Sequence, residues 1–210
     1  MTAYTLEESI QHAKEWISHD PNPTTRDYVK QLIESSSTSV ADDTATTVEE
    51  EKKQQPKDSV VTTDQQLLKD LFGRPGRIDF GTAGLRSSMS PGPHGMNDLV
   101  VIQTAQGLAK YCRATEPNKN VIVIGYDHRA TTTKYQISSQ QFAIYTALVF
   151  SNAGFEPLLF HGYVPTPLVA FTTKKLPECG LGIMITASHN PKEDAGYKIK
   201  HQKQVCQVGL

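Results

Sequence analysis

Ser188, His189 and Lys198 carry side chains that can do chemistry, and they lie close together in the chain. The stretch runs Gly182-Ile183-Met184-Ile185-Thr186-Ala187-Ser188-His189-Asn190-Pro191, and Gly196-Tyr197-Lys198-Ile199-Lys200 follows. An apolar run gives way abruptly to small and polar residues, the pattern of a buried strand that delivers its last side chains to a tight loop. A serine hydroxyl becomes an effective nucleophile when a base or a cation assists it. His189 can act as acid or base, or donate to a phosphate. Lys198 can hold an anion or tune a proton transfer. The structural alternative is a turn serine whose Oγ bonds a nearby N–H, beside a solvated histidine and a surface lysine. Gly-x-Ser-x-Gly is absent, so a serine-hydrolase elbow lacks support.

Two arginines extend the set. Arg86 ends Phe80-Gly81-Thr82-Ala83-Gly84-Leu85-Arg86, where glycines let backbone approach a ligand and exposed N–H groups can cradle an anion. The bland reading is a glycine-rich turn. The pattern is neither a P-loop nor Gly-x-Gly-x-x-Gly. Arg129 follows a second apolar run in Asp127-His128-Arg129, as a phosphate ligand or as a structural partner of Asp127. The histidines show no metal-ligand spacing.

The elements that must position these groups read as α/β. Runs at 121–126, 155–160 and 180–187 are strands, and 134–152 and 166–175 are helical connections between them. That order implies βαβ units in a buried, largely parallel or mixed sheet flanked by helices, with ligands gathering at the carboxyl ends of the strands. Upstream, Asn97-Asp98 caps a helix reaching about Cys112, and 64–72 is a short helix ended by Gly73. Residues 1–34 read as two helices broken by Asp20-Pro21-Asn22-Pro23, with Thr24 or Thr25 capping the second. Residues 35–63 are Ser, Thr, Asp and Glu rich and predict a disordered insertion.

Composition narrows the class. With 210 residues, net charge −1 and 38% hydrophobic content, bulk charge favours neither nucleic acid nor an anionic membrane surface. Cys112, Cys179 and Cys206 are too few and too far apart for a disulfide framework, which points to a reducing, cytoplasmic setting. No secretory signal or membrane-spanning run is evident.

The 186–191 loop with Gly196-Tyr197-Lys198 resembles the phosphoserine loop of the α-D-phosphohexomutase superfamily, and 80–86 resembles that family's Gly-Thr-x-Gly-x-Arg element. Arg77-Ile78-Asp79, Met96-Asn97-Asp98-Leu99 and Trp16 with 20–23 are similar to the phosphopentomutase and type-2 phosphoglucomutase branch. The resemblance covers 1–34 and 64–200, the latter as the family's domain I.

It implies a sugar-phosphate mutase working on hexose or pentose phosphates. Ser188 would be the phosphoserine and a contact of Mg²⁺, and Lys198 would assist proton transfer. Arg86 and His189 would contact phosphate or sugar, with Thr186, Asn190 and Arg129 also in the phosphate-binding set. A sugar 1,6- or 1,5-bisphosphate would be the primer and intermediate. The family's later Asp-Gly-Asp-x-Asp metal loop, sugar-specificity loop and C-terminal phosphate-binding domain have no counterpart in the sequence. Residues 201–210 look unrelated to the family. The expectation is therefore a truncated N-terminal fragment, inactive alone, with a non-catalytic sugar-phosphate-binding or regulatory product as the alternative. Oligomeric state stays open.

Overall fold

The computed structural model describes residues 2–38, 63–81, 84–131 and 133–201. Its centre is a five-stranded sheet in the order β1-β7-β6-β2-β5. The strands are β1 (Gly84–Ser88), β2 (Val121–Tyr126), β5 (Glu156–Leu159), β6 (Cys179–Ile185) and β7 (Asp194–His201), and a two-stranded ribbon pairs β3 (Ala130–Thr131) with β4 (Ile137–Ser138). The helices are α1 (Leu6–His19), α2 (Pro23–Thr38), α3 (Asp64–Phe72), α4 (Asp98–Thr115), α5 (Ser139–Asn152) and α6 (Thr166–Lys175).

The sheet is mixed. β2 pairs in parallel with β5 and β6, while β7 runs antiparallel to β6 and to β1. Both central strands are buried along their whole length, as expected for strands covered on two faces. Alternation along each strand splits the core. Ile122, Ile124, Ile183, Ile185 and Tyr197 pack with α4 and α5 residues such as Val101 and Phe142. Val121, Val123 and Met184 point the other way, toward Val169 of α6. Burying each such aliphatic side chain stabilises the fold by roughly 1.5–3 kcal/mol. A third cluster joins α1, α2 and α3 through Ala13, Trp16, Val29 and Phe72.

Several boundaries differ from expectation. α2 starts at Pro23, and the Asn22 amide oxygen accepts from the N–H groups of Thr24 and Thr25 at 2.9 and 3.4 Å. The buried Thr25 hydroxyl turns to Asp20 instead of capping. Residues 35–38 complete α2, with the hydroxyls of Ser35, Ser36 and Ser37 bonding back to carbonyls one turn earlier. The rest of the low-complexity stretch, 39–62, lies outside the described residues. The helix expected from 134 starts at Ser139. Ile137 is buried as a strand residue, and the Ser138 hydroxyl accepts from Gln141 N–H, which fixes the start. β7 runs one residue past the expected boundary at 200, pairing His201 with Leu181. The remainder of that tail is also outside the described residues. Among the described residues no helix is long and apolar enough to cross a membrane.

Candidate active site

β6 ends at Ile185, and the chain then turns back into β7. The Asn190 N–H bonds the Ala187 carbonyl at 3.1 Å, closing a four-residue turn. Ser188, second in that turn, has φ 58°. Few non-glycine residues adopt positive φ, and doing so costs roughly 1–2 kcal/mol. Local chemistry helps hold it there, because Thr186 Oγ1 accepts the Ser188 N–H at 2.9 Å. The consequence is an exposed hydroxyl at the carboxyl end of a fully buried strand.

The antiparallel return brings Lys198 to that hydroxyl, and its Nζ donates to Ser188 Oγ. The β6–β7 register sets Lys198 opposite Met184, and the β1–β7 register sets it opposite Gly84. Arg86 faces Gly196, one diagonal step from Lys198 on the same side of the sheet. Both glycines are required by close approach. A Cβ on Gly84, whose φ is +142°, would lie 1.9 Å from the Tyr197 carbonyl oxygen, and one on Gly196 would lie 2.6 Å from the Thr186 oxygen. The glycine-rich segment, with its two readings of anion cradle and plain turn, leads into edge strand β1, which carries Arg86 to the site. Partial burial, more than anything else, pushes the Lys198 ammonium below the ordinary lysine range. Arg86, Lys200 and Arg129 add to that, and Asp127 opposes it.

The other expected site residues sit around this pair. Arg86 donates to Asn190 Oδ1 at 3.0 Å, and Asn190 Nδ2 donates to Asp194 at 2.8 Å. Both ends of the Asn190 amide are therefore used within the loop. His189 is exposed beside Ser188. Arg129 lies beneath the loop. Its Nε donates to Asp127 at 2.9 Å, one terminal nitrogen donates to the carbonyls of Pro191 and Asp194, and the other to those of Ser188 and Asn190. All five guanidinium N–H groups are accounted for, so of its two sequence readings the geometry is that of the structural partner. The phosphate-ligand reading has no donor left in this arrangement.

A cavity of about 590 Å³ opens next to Ser188 between the ends of β2 and β6 and the start of α6, lined by His128, Val164, Thr166, Met184, Thr186 and Lys192 among others. Strand ends do converge here, although His161 is not in its wall. Three contributors had little or no local signal. Asp194 carries no motif in the sequence, Ser139 falls inside the helix expected from 134, and Asp127 is visible only through its spacing to Arg129.

A Mg²⁺ ion prefers an octahedron of carboxylate, phosphate and water oxygens. Asp127 is committed to Arg129 and Ser139. Among the described residues no group of three His, Cys, Asp or Glu can hold a metal. The described residues alone do not fit a magnesium site, so no step is assigned to one.

Residues 77–205 match the family model for phosphoglucomutase/phosphomannomutase, alpha/beta/alpha domain I. The chain is 39% identical over 191 residues to a phosphopentomutase from Pongo abelii, covering 90% of this chain and 26% of that protein. It is 46% identical over 125 residues to a glucose 1,6-bisphosphate synthase from Homo sapiens, covering 59% and 20% respectively. A solved structure of a candidate phosphomannomutase from Thermus thermophilus superposes with TM-score 0.50 at 27% identity, over 60% of this chain and 26% of that one. The chain thus spans about a quarter or less of the length of these relatives.

Proposed function

The chain belongs to the phosphoglucomutase/phosphomannomutase family, and on that premise we propose that it carries the phosphoryl-accepting serine of a sugar-phosphate mutase. The reaction would move a phosphoryl group between hydroxyls of a hexose or pentose through a sugar bisphosphate. The names of the relatives, a phosphopentomutase and a glucose 1,6-bisphosphate synthase, support that substrate class. The observation that carries the reading is the Lys198 ammonium on Ser188 Oγ, with Arg86 one diagonal step away.

In the accepting direction, the bond from phosphorus to the sugar oxygen breaks and a bond from phosphorus to Ser188 Oγ forms. The neutral Lys198 amine, made more accessible by the lowered basicity, takes the serine proton, becomes the ammonium, and passes that proton to the departing sugar oxygen. In the donating direction, the neutral Lys198 amine takes the proton of the attacking sugar hydroxyl, the bond from phosphorus to Ser188 Oγ breaks, and Lys198 passes the proton to Oγ. Arg86 and His189 neutralise charge on the transferring group, the dominant requirement of phosphoryl transfer. Thr186, Asn190 and Arg129 serve by holding the loop. Phosphoryl acceptance at Ser188 is the part of that reaction that these residues carry. Buried, free Cys112 and Cys179 suit a cytoplasmic setting.

The test is incubation with glucose 1,6-bisphosphate or ribose 1,5-bisphosphate, followed by mass spectrometry of the peptide containing Ser188. One added phosphoryl group on Ser188, absent in Ser188→Ala, is expected. A folded chain that takes no phosphoryl group, or takes it equally in Ser188→Ala, ends the proposal.

A further inference from the structure

A single side chain meets most of the 188–194 loop from below. Arg129 is nine-tenths buried, at 10% side-chain exposure, and points four of its N–H groups at the carbonyls of Ser188, Asn190, Pro191 and Asp194. These carbonyls converge because the chain reverses sharply after β6, and a turn with a positive-φ serine turns its carbonyls inward. Inward carbonyls need donors. A guanidinium supplies five in a rigid fork, whereas an ammonium supplies three from a point.

Arg129 is itself oriented. Asp127, at the end of β2, accepts from Arg129 Nε at 2.9 Å and from Arg129 N–H at 3.2 Å. Its Oδ1 also accepts from the Ser139 hydroxyl at 2.6 Å, and the Ser139 N–H bonds the Arg129 carbonyl at 2.9 Å. The network therefore runs from the first turn of α5, through the end of β2, into the loop that presents Ser188.

We infer that Arg129, oriented by Asp127 and Ser139, is a positioning residue that holds Ser188 in its strained conformation with its hydroxyl facing Lys198. Its functional consequence rests on the reading of Ser188 as the phosphoryl carrier. Its structural content does not.

Amide hydrogen exchange tests the structural content. In Arg129→Lys, the amides of Ser188, Asn190 and Asp194 should exchange at least about tenfold faster, with β2 and β6 amides unchanged, since the loop opens locally once guanidinium hydrogen bonds are lost. Ser139→Ala should give a smaller acceleration confined to the same amides. Wild-type exchange in the loop of Arg129→Lys overturns the inference, and so does an acceleration spread evenly through β2 and β6. If Arg129→Lys does not fold, Ser139→Ala decides alone, with loop-confined acceleration expected and an unchanged loop overturning the proposal.

The functional arm measures labelled phosphoryl transfer from glucose 1,6-bisphosphate to Ser188. The saturated rate should fall at least about tenfold in Arg129→Lys with the half-saturating concentration unchanged, and added guanidinium should restore rate to Arg129→Ala. A raised half-saturating concentration at unchanged rate overturns the positioning role. If the wild-type chain takes no label, the carrier reading fails, and the exchange measurement still decides the clamp.

Discussion

Replacing Ser188 by glycine and by alanine separates backbone strain from side-chain chemistry. Both variants lose the contact from Lys198 Nζ to Ser188 Oγ, so that loss cancels between them. What remains is the backbone. At an ordinary position glycine is less stable than alanine by roughly 0.5–1 kcal/mol, because its unfolded chain is freer. At φ 58° an L-residue carries roughly 1–2 kcal/mol of strain that glycine lacks. The turn reinforces the expectation, since Ser188 occupies the second position of a turn closed by Asn190 N–H to Ala187 O, where positive φ usually recruits glycine. The midpoints of those two ranges leave Ser188→Gly ahead of Ser188→Ala by about 0.75 kcal/mol, inverting the usual order. For a chain of this size that corresponds to about 1–4 °C in melting temperature. Calorimetric melts or urea titrations of the two variants at one pH measure it. An alanine variant as stable as the glycine variant, or more so, would refute the claim that the loop stores strain. Under the proposed function, neither variant accepts a phosphoryl group.

Other residues give independent tests. Gly84→Ala puts a Cβ 1.9 Å from a β7 carbonyl oxygen at a φ that L-residues avoid, so β1 must separate from β7. A loss of about 3 kcal/mol or more is expected by urea unfolding, and a change under about 0.5 kcal/mol would contradict the close pairing. Lys198→Met should slow phosphoryl acceptance by about 10²- to 10⁴-fold, read by the labelled-transfer assay; an undiminished rate would remove Lys198 from the proton path. Asp98 is almost fully buried, and desolvation pushes its carboxyl up to about 6, with the Asp20 charge adding and the Asn22 hydrogen bond opposing. The folded state therefore favours the protonated acid. The resulting stability is fully present below the unfolded carboxyl pKa near 4 and is lost as pH rises through about 6. Asp98→Asn should gain stability over the wild type by an amount that grows between those pH values, on the order of 3 kcal/mol at most. A pH-independent difference in melting temperature would show that Asp98 does not titrate there.

The reach of the sequence is clearest element by element. The apolar runs at 121–126 and in 180–187 are buried strands in the structure, because unbroken burial on both faces leaves an unbroken apolar signature. Helix stops at Asp20 and Gly73 were legible through proline and glycine chemistry. Helix starts were less so. Ile137 fits a helical spacing as well as a strand, and only the Ser138 cap decided between them.

The sequence alone determined the inventory: a serine and histidine on a strand-end loop, a lysine ten residues on, and an arginine after a glycine-rich segment. Tertiary structure decided which of these face each other. Arg86 meets Asn190 across 104 positions of chain, and Arg129 meets Ser188 across 59. No local pattern encodes such pairs, since they follow from the antiparallel register of β1, β7 and β6 and from the reversal after Ile185. That register put Lys198 on the Ser188 hydroxyl. The inward carbonyls of the same reversal accept the four terminal N–H groups of Arg129, while its Nε goes to Asp127.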